Sequence, residues 1–410
     1  SGGSSSGGTG GGGGSGSNAC ATDPSTCIVV GPTGPYGSKT FTVPAQQNWV
    51  NTGLYLKAGQ TATITSSGTW SVTGSGSSID HGPCKVGALV ARMGLHYKDT
   101  ALTCVGASTN FTAPKDGILF LGALAGNDLG ETYETRHDDS GQKTVTVTSS
   151  QNTVPTVQAK DAATYAFSSV SSGWVEVWGK HVILTLPAAK AALDASTLLA
   201  ATNRLDAIYD QHEILRGAVP HGGQRLRFFP DGTQPGYMLA DSPIRMDWEL
   251  VHGSATTRIS RSGEPGTGVW GFGHEMGHDF SFGPDGFWTY QDGSKSLESW
   301  PNIFTIYSFE KLGLPLNSAA TSCTKNSTGS FSTWDAWGGL CFLRQFQLRC
   351  GWNFYENFFD DILDETSTGS KSTWKYVYDK FVAAKAVSCS DPGDTALDVA
   401  ALFDAWGVPR

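Results

Sequence analysis

The chain reads as multidomain: an N-terminal all-β sandwich, then an α+β domain with a mostly helical C-terminal half. Three observations predict this. Residues 1–18 are almost pure Gly, Ser and Thr, a flexible linker that cannot bury a core. Residues 19–150 carry short β-branched or alternating runs between clusters of Gly, Ser, Asn and Asp. Beyond residue 187, apolar residues recur at helical spacing. With 410 residues there is chain enough for two or three domains.

In order, strands are expected at Lys39–Val43, Gln60–Thr65, Gly117–Gly122 and Lys143–Thr148. Residues 151–172 are polar and without periodicity, which suggests the link between units. The second unit, 173–410, opens at Gly173–Trp178. Val182–Leu186 then reads as a strand, and Ala188–Leu215 as a helix with Leu198, Leu199, Leu205, Ile208 and Tyr209 at its spacing. Strands and turns follow from Arg225 to Asp247, of which 237–247 is expected to be a sheet edge able to pair with extended substrate. Helices are expected near Gly271–Phe282, stopped by Gly283-Pro284, and at Leu297–Tyr307 with Pro301 in the first turn. Further helices are expected at Leu340–Leu348, Trp352–Leu363, Thr373–Ala386 and Ala396–Trp406.

Composition excludes several functions. The net charge is −9 and no apolar run approaches the length of a membrane span. Nothing in the sequence suggests a basic surface for nucleic acid or anionic lipid. Eight cysteines without a Cys-x-x-Cys pair favour disulfides over a thiolate metal site, with buried free thiols as the alternative. Local pairings would be Cys20–Cys27 and Cys84–Cys104. Connectivity among Cys323, Cys341, Cys350 and Cys389 stays open. Disulfides imply an oxidising compartment, hence a secreted or cell-surface protein. The chain begins inside a linker, so a longer precursor is expected.

The chemistry concentrates in Trp270-Gly-Phe-Gly-His274-Glu275-Met-Gly-His278-Asp279-Phe280. Histidines four apart on a helix share a face and can reach one Zn²⁺. Glu275, beside the first ligand, can take a proton from a zinc-bound water. Two glycines, Gly273 and Gly277, weaken the helix and suggest close packing against neighbouring backbone.

A catalytic zinc usually takes three protein ligands. No histidine follows His278, so a downstream third ligand must be a carboxylate. The candidates are Asp279, Asp285, Asp292, Glu298 and Glu310. Asp279 points off the histidine face, and Asp285 and Asp292 fall in a Gly/Pro-rich loop. Glu298 at the opening of the next helix is favoured, with Glu310 further along that helix the poorer choice. Asn302, one turn from Glu298, could support a ligand from behind. Tyr237, Tyr290, Tyr307 and His252 are candidate oxyanion donors. Asp279 either orients one histidine or sits on solvated helix surface.

The same residues carry a resemblance. The run Trp270 to His278, a loop with Trp288, and Glu298-Ser-Trp-Pro-Asn302 together resemble the M60 (enhancin-like) zinc metallopeptidases, described by His-Glu-x-x-His and a more distant Glu. Glu298 follows His278 by twenty positions, which suits that pattern. The family's usual Val-Thr-Asn-Asn after that Glu is here Ser-Trp-Pro-Asn. The resemblance covers roughly 173–410 and implies a gluzincin-type peptidase, associated with mucins and other O-glycosylated proteins.

A second resemblance covers roughly 40–150. Gly87-Ala-Leu-Val-Ala-Arg-Met-Gly94, Phe111-Thr-Ala-Pro, Gly117-Ile-Leu-Phe-Leu and the acidic loop after Asn127 recur in the order of the bacterial calcium-dependent galactose-binding lectins. That resemblance implies Ca²⁺ on Asp128, Thr132, Asp138 and Asp139, oxygen donors suited to a hard cation. Here the loop is longer than the lectins', and their sugar-contacting residues before Gly87 have no counterpart.

Together these readings imply a secreted zinc metalloendopeptidase acting on O-glycosylated proteins or mucins, with galactose-type glycans as possible partners of the N-terminal unit. The alternatives are a zinc peptidase indifferent to glycans and a glycan-binding adhesin with a non-catalytic metal site.

Overall fold

The computed structural model describes residues 34–47, 49–72, 84–96, 101–124, 139–231, 238–240, 243–246, 267–281, 296–365, 371, 373–389 and 397–410. Among the lectin-like positions, Asp128, Thr132 and Asp138 lie outside these residues, as does the Cys20–Cys27 pair.

The N-terminal region is β-rich. Its strands are β1 (Pro35–Pro44), β2 (Val50–Leu56), β3 (Thr61–Ser67), β4 (Trp70–Ser71), β5 (Leu89–Met93), β6 (Thr103–Val105), β7 (Ser108–Thr112), β8 (Gly117–Ala123) and β9 (Ser140–Thr153). All pair antiparallel. The main path runs β6-β5-β8-β2-β9-β3-β7, with β1 and β4 also on β9. Period-two burial explains the pairing: Ala62 and Ile64 of β3 point inward while Thr61, Thr63 and Thr65 face solvent. In β9, Val145 and Val147 likewise join the core of this region.

The second sheet contains β10 (Thr156–Gln158), β11 (Trp174–Trp178), β12 (Val182–Pro187), β13 (Leu226–Pro230), β14 (Met238–Leu239) and β15 (Ile244–Met246). Its order is β10-β11-β12-β13-β15-β14, which puts β14 at an edge. The pairings are mixed: β10–β11, β12–β13 and β13–β15 are parallel, β11–β12 and β14–β15 antiparallel. In the stretch 151–172, read from sequence as the link between units, β9 runs on to Thr153 and the residues after it dock on this second sheet. Here β10 lies on β11, and Ala159, Ala162 and Phe167 enter the large core. Small and apolar residues at those positions suffice for docking, although their spacing carries no period.

Helices make up most of the remainder: α1 (Ala188–Arg216), α2 (Thr267–Ser281), α3 (Trp300–Leu312), α4 (Ser318–Ser322), α5 (Ala336–Cys350), α6 (Asn353–Leu363), α7 (Trp374–Ser388) and α8 (Val399–Trp406). The aromatic residues of the C-terminal helices are core. Trp300 stacks on Phe358, and Phe346, Phe354, Phe381 and Phe403 are fully buried around them. Disulfides join Cys84 to Cys104, Cys323 to Cys341 and Cys350 to Cys389, leaving no free cysteine among the described residues. Among the described residues no helix is long and apolar enough to cross a membrane.

The two sheets meet through a shared apolar cluster. Phe229 of β13 stacks on Trp174 at 5.8 Å and meets Phe120 of β8 and His96 edge-on. His96 Nδ1 lies 2.8 Å from the fully buried Asp231, and Arg245 Nε donates to the Leu95 carbonyl. The sheet that leads to α2 is therefore braced by the N-terminal region.

Candidate active site

Helix α2 lies against α3 because two glycines let it. A Cβ on Gly273 would stand 3.1 Å from Thr305 Cγ2, and one on Gly277 would stand 2.6 Å from the Pro301 carbonyl oxygen. The close approach expected from those glycines is thus to backbone at Gly277 and to side chains at Gly273. It brings the histidine face of α2 beside the turn that precedes α3.

Glu298 sits in that turn, two residues before α3 begins, and not inside the helix as expected. Pro301 does occupy the first helical turn. The Glu298 Oε2 atom lies 3.0 Å from His274 Nε2 and 3.5 Å from His278 Nε2. These three donor atoms converge within 4.8 Å of one another. Hydrogen bonds from both histidines hold the Glu298 carboxyl well below the usual carboxylate range. Burial pushes His274 down, but Glu298, Glu275 and Asn302 outweigh it and the net shift is upward.

The tautomer of His274 follows from its neighbours. Trp270 Nε1, which can only donate, lies 3.1 Å from Asn302 Oδ1, so that atom is the amide oxygen. His274 Nδ1 lies 2.9 Å from the same oxygen and must donate to it. With a proton on each nitrogen the ring donates from Nε2 to Glu298; in the neutral ring Nδ1 keeps its proton on Asn302 and Nε2 is bare, the form a metal ion takes. Asn302 Nδ2 donates in turn to the Glu298 backbone carbonyl. One amide therefore orients both a candidate ligand ring and the turn that carries the carboxylate, a donor set that fits a tetrahedral zinc site with one position open.

Glu275 is 9 % exposed. Burial raises its pKa, His278 and His274 lower it, Glu298 raises it, and the Ala240 backbone N–H bonds the carboxylate. Ala240 follows edge strand β14, so the sheet edge reaches the site. A carboxylate at that position, its pKa raised by burial, is placed to accept and return a proton.

Other sequence candidates are engaged elsewhere. Glu310 accepts from Arg344 at 2.6 Å and from Trp352 Nε1 at 2.8 Å, which removes it as a ligand. Tyr307, offered as an oxyanion donor, instead donates to Glu356 Oε1 at 3.0 Å. Asp279 is not solvated surface; it is buried and lies 3.0 Å from His221 Nε2. Asp285, Asp292, Tyr237, Tyr290, His252 and Trp288 lie outside the described residues. Asp139 is described and is buried just before β9. A second grouping, His181, Asp210 and Glu213, already holds a cation, because Lys180 Nζ lies 3.0 Å from Asp210 Oδ1. Sequence reading missed the Ala240 amide and His221, since neither has a motif of its own.

The profile of the family described as Peptidase M60, enhancin and enhancin-like matches residues 167–388, more than half of the chain. The chain belongs to the M60 peptidase family. As an M60 peptidase it is a metalloprotease, and its fold is shared with solved M60 structures. The catalytic module of the metalloprotease ZmpA from Clostridium perfringens is 14% identical, with a TM-score of 0.54 over 90% of this chain and 72% of that one. The M60 catalytic domain of Clostridium perfringens ZmpC, in complex with the sialyl T antigen, is 14% identical with a TM-score of 0.53, covering 93% and 77%. A metallopeptidase in complex with Tn antigen is 16% identical with a TM-score of 0.53, covering 89% and 67%. No curated protein matches by sequence. M60 membership agrees with the β-rich N-terminal region and the helical C-terminal half.

Proposed function

We propose that this M60 peptidase is a secreted zinc metalloendopeptidase that cleaves mucin-type O-glycosylated proteins. The observation that carries the metal site is the convergence of His274 Nε2, His278 Nε2 and Glu298 Oε2, with Glu275 buried beside them. When bound there, zinc would supply Lewis acidity, acidifying water and polarising the scissile carbonyl. Glu275 takes the proton of the attacking water and delivers it to the leaving amine. Asn302 holds His274 in the tautomer that leaves Nε2 free. The edge strand β14 aligns the peptide by strand addition, close to the Ala240 amide that steadies Glu275.

The glycan part draws support from two solved relatives that hold the Tn and sialyl T antigens. Secretion draws support from three disulfides among the described residues. Calcium and galactose binding by the N-terminal region rest on the order of its lectin-like segments and are a separate proposal. Calcium titration of the whole protein against Asp128→Ala tests them.

Digestion of a mucin-type glycoprotein and its deglycosylated twin, with termini read by mass spectrometry, tests the main reading. Cleavage of the glycosylated form only, abolished by Glu275→Ala, is expected. Equal cleavage of both would leave a peptidase indifferent to glycans. No cleavage of either, with zinc still bound, would favour the adhesin.

A further inference from the structure

His278 lies three residues before Ser281, the last described residue of α2. A metal ligand keeps its register only if the turn that carries it is held in place. Two contacts from one segment hold this one. Arg216, almost fully buried at the end of α1, donates from Nε to the Phe280 carbonyl at 3.2 Å. Five residues later, His221 Nε2 lies 3.0 Å from Asp279 Oδ1, both side chains buried.

The backbone of His221 marks this contact out. It has φ 50, and among the described residues it is the one non-glycine with positive φ. Gly222 and Gly223 follow it at φ 62 and φ 78. A histidine seldom adopts that conformation, and strain of this kind persists where surrounding structure over-determines it. Here the left-handed turn carries the imidazole to the α2 carboxylate. Asp279 is about 100° round the helix from His278. The grip therefore comes from the side, while Gly273 and Gly277 seat the helix on α3.

We propose that His221 is a positioning residue: through Asp279 it fixes the turn of α2 that carries His278, so that His278 Nε2 stays in register with His274 and Glu298. The inference rests on the zinc reading above. It concerns a residue 57 positions before His278, with no place in the His-Glu-x-x-His pattern.

The test uses the whole protein. His221→Asn suits a left-handed backbone but is too short to reach Asp279. Zinc affinity is measured by competition with a chelator, and amide exchange of residues 277–281 is measured without metal. We expect affinity to fall about 10-fold, with faster exchange in that turn and little change in the thermal midpoint. Asp279→Ala should match it, and Asp279→Asn, which keeps an acceptor oxygen, should recover most of the loss. If His221→Asn fails to fold, the Asp279 pair carries the same comparison on an unaltered turn. Native zinc affinity in either short variant, or a lowered midpoint at unchanged affinity, overturns the proposal. Failure of the zinc reading itself looks different: the native protein would then bind no ion that His274→Ala removes.

Discussion

Gly277 brings α2 so close to α3 that a Cβ would stand 2.6 Å from the Pro301 carbonyl oxygen and 2.9 Å from Pro301 Cα. Backbone cannot swing aside as a side chain can. Gly277→Ala would gain about 1 kcal/mol in helix propensity but lose about 1–3 kcal/mol to overpacking. The clash should win. A lower denaturation midpoint is expected, with weakened metal binding because the histidine face moves away from Glu298. An unchanged midpoint would show that the helices separate freely.

Asn302→Ala removes the acceptor that fixes His274 Nδ1 and the donor that holds the Glu298 carbonyl. Zinc affinity should fall by about 10–100-fold, with the fold retained. Asn302→Asp keeps the acceptor for His274 and should lose less. Equilibrium dialysis against a chelator of known affinity measures both.

Arg227 is deeply buried, and burial pulls its pKa down to about 9. Its partners are Thr185 Oγ1 on the adjacent strand β12 and Glu176 Oε1 on β11, one strand further. Glu176→Ala would leave the guanidinium buried without a counter-charge, at a cost of about 3–5 kcal/mol. The denaturant midpoint should drop sharply. Replacing Arg227 and Glu176 together by Met and Leu should recover much of the loss.

His212 is fully buried between Phe280 and Phe304, and burial lowers its pKa to about 3. It is therefore neutral in the fold and protonates near 6.5 when unfolded. The unfolded chain binds the extra proton between those values, so the stability from this group is complete above pH 6.5 and is lost as pH falls towards 3. The slope is about 1.4 kcal/mol per pH unit. Urea midpoints of native protein and His212→Met, measured from pH 7 to pH 4, should converge as pH drops. Parallel curves would show that His212 does not set the acid limit.

Much of the candidate site was legible in the sequence because its pattern is local. Histidines at i and i+4 share a helix face wherever the helix goes. The absence of any histidine after His278 left a carboxylate, and the opening of the next helix pointed to Glu298. Alternation in β3 and β9 marked their buried faces. Cys84 and Cys104, twenty positions apart, paired as their neighbourhood suggested.

What tertiary packing alone decided are the partners. Glu310 and Tyr307 share a helix with Asn302, yet they turn to Arg344 and Glu356. Asp279 finds His221 across 58 positions, and Glu275 finds the amide of Ala240. Cysteine spacing left the last four unassigned until the fold set Cys323 by Cys341 and Cys350 by Cys389. Periodicity says which side of an element is covered. It does not say by what, because that depends on distant segments filling the same volume at once.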